Sequence, residues 1–285
     1  MSTAAGERGG NAEDRTGHWS GIAQAYAASF ASLCHGGVPG LLDAAEAAAG
    51  AGGLMGRRLL DVGTGTGAVA AEAVRRGAAV TAVDPDPELL TLGAAAFEGP
   101  TLLAALPDLP FGDASYDVVV AGFVVNQLGD PRAGVRELVR VASTAVAVTI
   151  WPSGPRPSAT LLEETLRRAG AQPPPGTRLP AELDFERSVP GLGALLQEAG
   201  LADVVTAELR FPWRIAPQTW WTGIAGGVGV VGRTYLAQDD AGRARLRAAY
   251  DDVVGERLAD QARQGRSGTE LDLDEVAVVA AGRHP

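Results

Sequence analysis

The stretch Arg58-Leu59-Leu60-Asp61-Val62-Gly63-Thr64-Gly65-Thr66-Gly67-Ala68 decides the fold. Leu59, Leu60 and Val62 form an apolar run too short for a helix and stopped by glycine, so they read as a buried strand. Gly63, Gly65 and Ala68 then satisfy G-x-G-x-x-G/A, and a helix follows over about 66–76, closed by Gly77. A second strand, 79–83, runs into Asp84. A strand, a glycine turn, a helix and an acid at the next strand's tip make a nucleotide-type cofactor site.

Working outward, Asp84-Pro85-Asp86-Pro87 carries the start signals of a helix reaching about Phe97. Further strands are expected near 101–104, 117–121, 144–150, 204–213 and 275–281, with helices over 131–141, 158–169 and 189–199 and a proline-rich loop over 172–180. Alternating strands and helices imply βαβ crossovers and a largely parallel sheet. Upstream, Trp19, Ile22, Tyr26, Phe30 and Leu33 recur at helical spacing and predict one helix, stopped at His35-Gly36-Gly37. A second helix follows over 39–49. Between the last two strands lies an insert, 217–268, with Trp220-Trp221, a glycine-rich run (223–232) read as close helix packing, and an amphipathic helix over 241–264. The expected organisation is a flexible tail (1–17) and one domain (18–285), including an N-terminal helical lid (18–50) and a helical cap (217–268).

Apolar content of 46% with 20% charged residues fits a globular enzyme. A net charge of −10 and scattered arginines argue against a nucleic-acid partner, which needs basic stripes. All 24 basic residues are arginine, a coding bias and not a function. Cys34 is the only cysteine, so no internal disulfide can form, and it reads as a small core residue. Neither a secretory h-region nor a membrane-length apolar run is visible, and a cytoplasmic monomer or homodimer is expected.

The glycines alone leave a dinucleotide open. Two details favour S-adenosylmethionine. Asp61, at the strand's tip, can hold an ammonium group but would repel a pyrophosphate. The start of the following helix can receive a carboxylate. Asp84 suits either cofactor's ribose and disfavours NADP.

Leu59–Gly67, then Val83-Asp84-Pro85, then Leu109-Pro110-Phe111-x-Asp113-x-Ser115-Tyr116-Asp117-Val118-Val119 resemble the class I S-adenosylmethionine-dependent methyltransferases, in particular the small-molecule group. The resemblance covers roughly 19–150. It implies a Rossmann-like α/β fold with a seven-stranded sheet in the order 3-2-1-4-5-7-6, the last strand antiparallel. It also implies that Asp61, Gly63 and Gly65 meet the methionine portion, Asp84 the ribose and Leu89 the adenine, and that Tyr26 closes over the cofactor's carboxylate. Thr64, Gly67, Pro85, Ala105, Leu106, Gly122 and Phe123 complete the implied cofactor contacts. One departure stands out. Relatives often carry an acid for the adenine amino group where this chain has Ala104-Ala105-Leu106, and Asp108 is the nearest substitute.

Methyl transfer needs alignment more than acid–base help. His35 is the best-placed histidine for a catalytic role. Relatives often have histidines where Asn126 and Gln127 stand, and amides orient an acceptor but do not take its proton. Trp19, Phe30, Asn126, Trp151, Trp220 and Trp221 are the candidate acceptor residues, with the insert roofing an apolar pocket. No metal is expected. The leading expectation is methyl transfer to a small aromatic or apolar acceptor, in secondary-metabolite biosynthesis. The alternatives are a non-methylating use of the same cofactor, such as cyclisation or rearrangement, and an NAD-dependent oxidoreductase.

Overall fold

The computed structural model describes residues 21–174, 179–266 and 268–285. The expected tail 1–17, Trp19 and the middle of the proline-rich loop lie outside the described residues.

Three helices come first: α1 (Ala23–Ala27), α2 (Ala31–His35) and α3 (Val38–Ala49). The single helix expected through Leu33 is broken in two. Ser29 returns its hydroxyl to the Ala25 carbonyl at 2.6 Å and Ser32 to that of Ser29 at 2.8 Å, bonds that compete with the helical ladder. Then follow β1 (Arg58–Val62), α4 (Ala68–Arg75), β2 (Ala79–Asp84), α5 (Pro87–Ala94), β3 (Thr101–Leu103), β4 (Tyr116–Gly122), α6 (Pro131–Val141), β5 (Ala142–Ile150), α7 (Pro157–Ala169) and α8 (Val189–Glu198). The chain ends with β6 (Ala202–Ile215), the insert helices α9 (Pro217–Ala225), α10 (Gly229–Leu236) and α11 (Asp240–Arg263), and β7 (Leu271–Arg283).

The seven strands lie in the order β3-β2-β1-β4-β5-β7-β6, as expected. β7 runs antiparallel to both neighbours, and the remaining pairs are parallel. Successive residues of a strand face opposite sides. Leu59, Val118, Val120, Ala145 and Ala147 pack with Leu41, Leu42 and Ala45 of α3. Leu60, Val119, Ala121, Val146 and Val148 pack with Leu138 of α6 and with Leu192 and Leu196 of α8. A sheet covered on both faces explains why these strands read as continuous apolar runs.

A third cluster belongs to the insert. β6 and β7 run on past the expected ends at 213 and 275, pairing Trp213 with Leu273 and Ile215 with Leu271. These residues form a floor under Trp220, Trp221, Ile224, Leu246 and Tyr250. Trp213 Nε1 donates to Ser32 at 3.0 Å, tying that floor to α2. The glycine-rich run packs closely, as expected: a Cβ at Gly223 would lie 2.1 Å from Ser29, and one at Gly226 would lie 2.4 Å from Ala25. Among the described residues, no helix is long and apolar enough to cross a membrane.

The motif Leu109–Val119 is structural. Leu109 N–H donates to Glu137 at 2.8 Å, Asp113 pairs with Arg140, and Asp117 accepts from the Arg58 backbone N–H at 2.8 Å. Together these bonds fasten the turn to α6 and to the start of β1.

Candidate functional site

The carboxyl ends of β1, β2, β4 and β5 surround a cavity of about 230 Å³. This is where parallel sheets bind their ligands. At β1, Gly63 and Gly65 hold φ of 72° and 54°, in the left-handed region. A Cβ on Gly63 would come within 2.3 Å of Val124, so the turn closes against the strand-4 loop. Gly67 lies outside the cavity wall: a Cβ there would meet the Gly93 carbonyl at 2.7 Å, so this glycine serves the approach of α5.

Two acids sit under the turn. Asp61 is fully buried, and its Oδ2 accepts from Thr64 Oγ1 at 2.7 Å. Its Oδ1 is buried with no side-chain partner, and Asp61 lies beneath the turn, outside the wall of this cavity and of the smaller one beside it. Burial holds the Asp61 carboxyl well above its ordinary range, at about 7, and the nearby Asp84 charge adds to the effect, while the Ala70 backbone N–H lowers the pKa slightly. Asp84 accepts from Gly65 N–H at 2.8 Å and Asp86 N–H at 3.0 Å, and burial raises its pKa too. Among the described residues, neither acid has a basic partner. Two neighbouring buried carboxylates without a cation are costly. A site built in this way accepts positive charge and repels a pyrophosphate. The Asp61 carboxyl, directly beneath the turn, fits a nearby ammonium group through its charge, and the opened backbone at Gly63 and Gly65 fits the rest of an amino-acid moiety.

Asp86 caps α5 by accepting from Glu88 and Leu89 N–H, both at 2.9 Å, which sets Leu89 into the cavity wall beside Pro85, Ala104, Ala105 and Leu106. Asp108 is exposed and does not line the cavity, so it does not replace the acid missing at 104–106. Tyr26 lines the cavity next to Gly65 and hydrogen-bonds Cys34. Burial pushes Tyr26 well above its ordinary value and the Cys34 thiol up to about 11. Cys34, read from sequence as a core residue, is therefore part of the wall.

The other half of the cavity is apolar, with Phe30, Leu33, Gly122, Phe123, Val124, Trp151 and Val228 in its wall. Phe123 takes φ of 60° and donates its N–H to the Thr149 carbonyl and hydroxyl at 3.0 and 3.2 Å. Its ring stacks on Trp151 with centroids 4.1 Å apart. The Arg156 guanidinium lies 4.4 Å from the Trp151 ring centre, so the indole is held by a ring stack and a cation–π contact.

Several expected acceptor residues sit elsewhere. Asn126 spends its whole amide on the Trp151 backbone and does not line the cavity. Trp220 is fully buried among Phe30, Trp213 and Tyr250, and Trp221 packs on Tyr235 and Tyr250. The insert reaches the cavity through Val228 and Gly229 instead. His35 is exposed, bonded to Thr66 at 3.0 Å, and lines a smaller cavity of about 40 Å³ that adjoins the main one and shares Tyr26, Cys34, Gly63, Gly65, Gly122 and Phe123 with it; partial burial lowers the His35 pKa. Sequence reasoning did not pick out Leu33, Cys34, Val124, Leu128, Val228 or Gly229 as wall residues. They come from three separate segments and share no spacing.

Residues 60–146 match the methyltransferase domain family. An uncharacterized methyltransferase of Mycobacterium sp. (strain JLS) is 38% identical over 101 residues, 34% of this chain and 40% of that protein. A demethylmenaquinone methyltransferase of Clavibacter sepedonicus is 34% identical over 101 residues, 34% of this chain and 41% of that protein. The chain thus spans about two fifths of the length of the curated relatives it matches. A solved S-adenosylmethionine-dependent methyltransferase of Thermotoga maritima superposes with a TM-score of 0.51 at 13% identity, covering 94% of this chain and 100% of that one, a likeness of fold.

Proposed function

We propose, from the match of residues 60–146 to the methyltransferase domain family and from the class I methyltransferase strand order, that this protein transfers a methyl group from S-adenosylmethionine to a small apolar ring compound. The observation that carries the proposal is the pair of buried acids, Asp61 and Asp84, with no cation of the protein's own. They suit a donor bearing an ammonium and a sulfonium charge and disfavour NAD.

In this reading the Asp61 carboxyl holds the ammonium through its charge, the backbone at Gly63 and Gly65 lies along the amino-acid portion, and Asp84 holds the ribose. Pro85, Leu89, Ala105 and Leu106 cover the adenine. When bound, the donor supplies an already activated methyl group. The protein's own part is to align the acceptor and exclude water. Tyr26, Cys34 and Asp84 are the titratable residues in the wall. Burial holds the phenol and the thiol protonated, and Asp84 is engaged by two backbone N–H groups. None is free to act as a base at neutral pH, so the acceptor is one that needs no base or ionises unaided. His35 stays outside the chemistry.

The acceptor half is lined by Phe30, Leu33, Phe123 and Trp151, which favours a flat apolar molecule. The name of the Clavibacter relative, a demethylmenaquinone methyltransferase, supports a quinone-like ring as the class to try first. A role in secondary-metabolite biosynthesis fits such an acceptor. The test is incubation with methyl-labelled S-adenosylmethionine and a panel of naphthols and naphthoquinols. Label extracted with the ring compound supports the proposal. Turnover of the donor without label in any acceptor would favour a non-methylating reaction.

A further inference from the structure

Four polar side chains line the main cavity: Tyr26, Cys34, Asp84 and Gln127. Three have partners within the protein. Tyr26 and Cys34 bond each other, and Asp84 holds the Gly65 and Asp86 amides. The Gln127 side chain hydrogen-bonds no described residue, although its backbone N–H is used by Val124 O at 2.7 Å. The contrast with its neighbour is sharp. Asn126 is consumed by Trp151, both bonds at 3.0 Å, and that clip fixes the short 3-10 turn Val125–Gln127 which carries the free amide. The half-buried carboxamide therefore keeps both its donor and its acceptor open to a ligand in a largely apolar wall.

We infer that Gln127 is the specificity-determining residue for the acceptor, and that the acceptor is an apolar ring bearing a carbonyl or hydroxyl oxygen which this amide meets. The inference rests on the donor assignment above and deepens it. An amide both donates and accepts, so it recognises either oxygen type. It takes no proton, consistent with a cavity that lacks a free base. Phe30, Leu33 and Trp151 supply the ring contact, and Gln127 supplies an amide that no other described side chain engages.

The test uses the full chain saturated with S-adenosylhomocysteine and two probes that differ by one oxygen, 1-naphthol and naphthalene. Binding is followed by quenching of tryptophan fluorescence. The wild-type protein should prefer 1-naphthol by about tenfold, the size of one hydrogen bond to an otherwise unpaired group. Gln127→Leu should bring the ratio close to one, with naphthalene and S-adenosylhomocysteine affinities unchanged. Gln127→Asn, which shortens the reach but keeps the amide, should retain part of the preference. An undiminished preference in Gln127→Leu overturns the inference. So does a parallel loss of S-adenosylhomocysteine affinity, which would make Gln127 an adenine contact, or a failure of 1-naphthol to bind the loaded protein. If S-adenosylhomocysteine itself does not bind the wild-type protein, the donor assignment fails first.

Discussion

Asn126 grips Trp151 with both ends of its amide: Nδ2 donates to the Trp151 carbonyl and Trp151 N–H donates back to Oδ1, each at 3.0 Å. The bonds join the chain just beyond β4 to the chain just beyond β5. They hold in place a tryptophan whose ring already stacks on Phe123 and meets the Arg156 guanidinium. Asn126→Ala should cost about 1–3 kcal/mol in chemical denaturation, because two half-buried backbone groups lose their partners. Binding of S-adenosylhomocysteine should stay within about threefold, a change of less than 1 kcal/mol, while the naphthol affinity falls further. Equal losses for both ligands would contradict a role confined to the acceptor wall.

Asp61 gives the site a pH dependence whose sign can be worked out. Its folded pKa lies above the ordinary carboxylate value, at about 7, so the free protein holds a proton there that the unfolded chain has lost. Its contribution therefore makes the free protein less stable as pH rises from about 4 to about 7, and is flat above. A cationic ligand lowers that pKa and expels the proton. Affinity for S-adenosylhomocysteine should thus rise by up to about tenfold per pH unit below 7 and level off above it. Asp61→Asn keeps an acceptor for Thr64 but removes the charge. It should stabilise the free protein at pH 8 by about 1–4 kcal/mol and abolish the pH slope of binding. Calorimetric titration at pH 5.5, 6.5 and 8 measures it, and a wild-type affinity independent of pH would contradict the assignment.

Trp220 is a core residue in this fold. Trp220→Ala should cost about 3–5 kcal/mol by emptying a fully buried site. Its Nε1 is buried without a partner, so Trp220→Phe removes an unsatisfied donor and should cost less than about 1.5 kcal/mol. Urea denaturation of the two variants checks the ordering. A Phe variant as unstable as the Ala variant would point to a hydrogen bond that the indole makes elsewhere.

His35 faces Thr66 from outside the main cavity. His35→Ala should leave turnover within about threefold, a change of less than 1 kcal/mol in the barrier, and should leave the pH–rate profile unshifted. A profile that loses its acid limb in the variant would restore the histidine as a base.

The donor half of the site was legible in the sequence because its parts are local. Asp61, Gly63 and Gly65 lie within five residues, and Asp84 ends the very next strand. The strands were legible because both faces of the sheet are covered, which leaves unbroken apolar runs such as Val118–Ala121. The acceptor half is assembled from Phe30, Phe123, Trp151 and Val228, which share no period. Trp220 and Trp221 read as a roof because their insert lies between the last two strands, which could bring it over the cofactor end of the sheet. On α9, however, both turn toward the floor made by the added lengths of β6 and β7. β6 is the edge strand, so Pro212 lies within it without breaking a ladder on its open side. The break at Ser29 was not legible because the apolar spacing from Trp19 to Leu33 is helical, and the serine's bond to the Ala25 carbonyl does not alter that spacing.

The claim on which the rest depends is that Asp61 and Asp84 await a cationic, ribose-bearing donor. Parallel calorimetric titration of the wild-type protein with S-adenosylhomocysteine and with NAD tests it most directly, with Asp84→Ala as the control. The account predicts one-site binding of S-adenosylhomocysteine, weakened about 10–100-fold in the variant through the lost ribose bonds and the freed Gly65 amide, and no binding of NAD. Saturable NAD binding with no response to S-adenosylhomocysteine would contradict it.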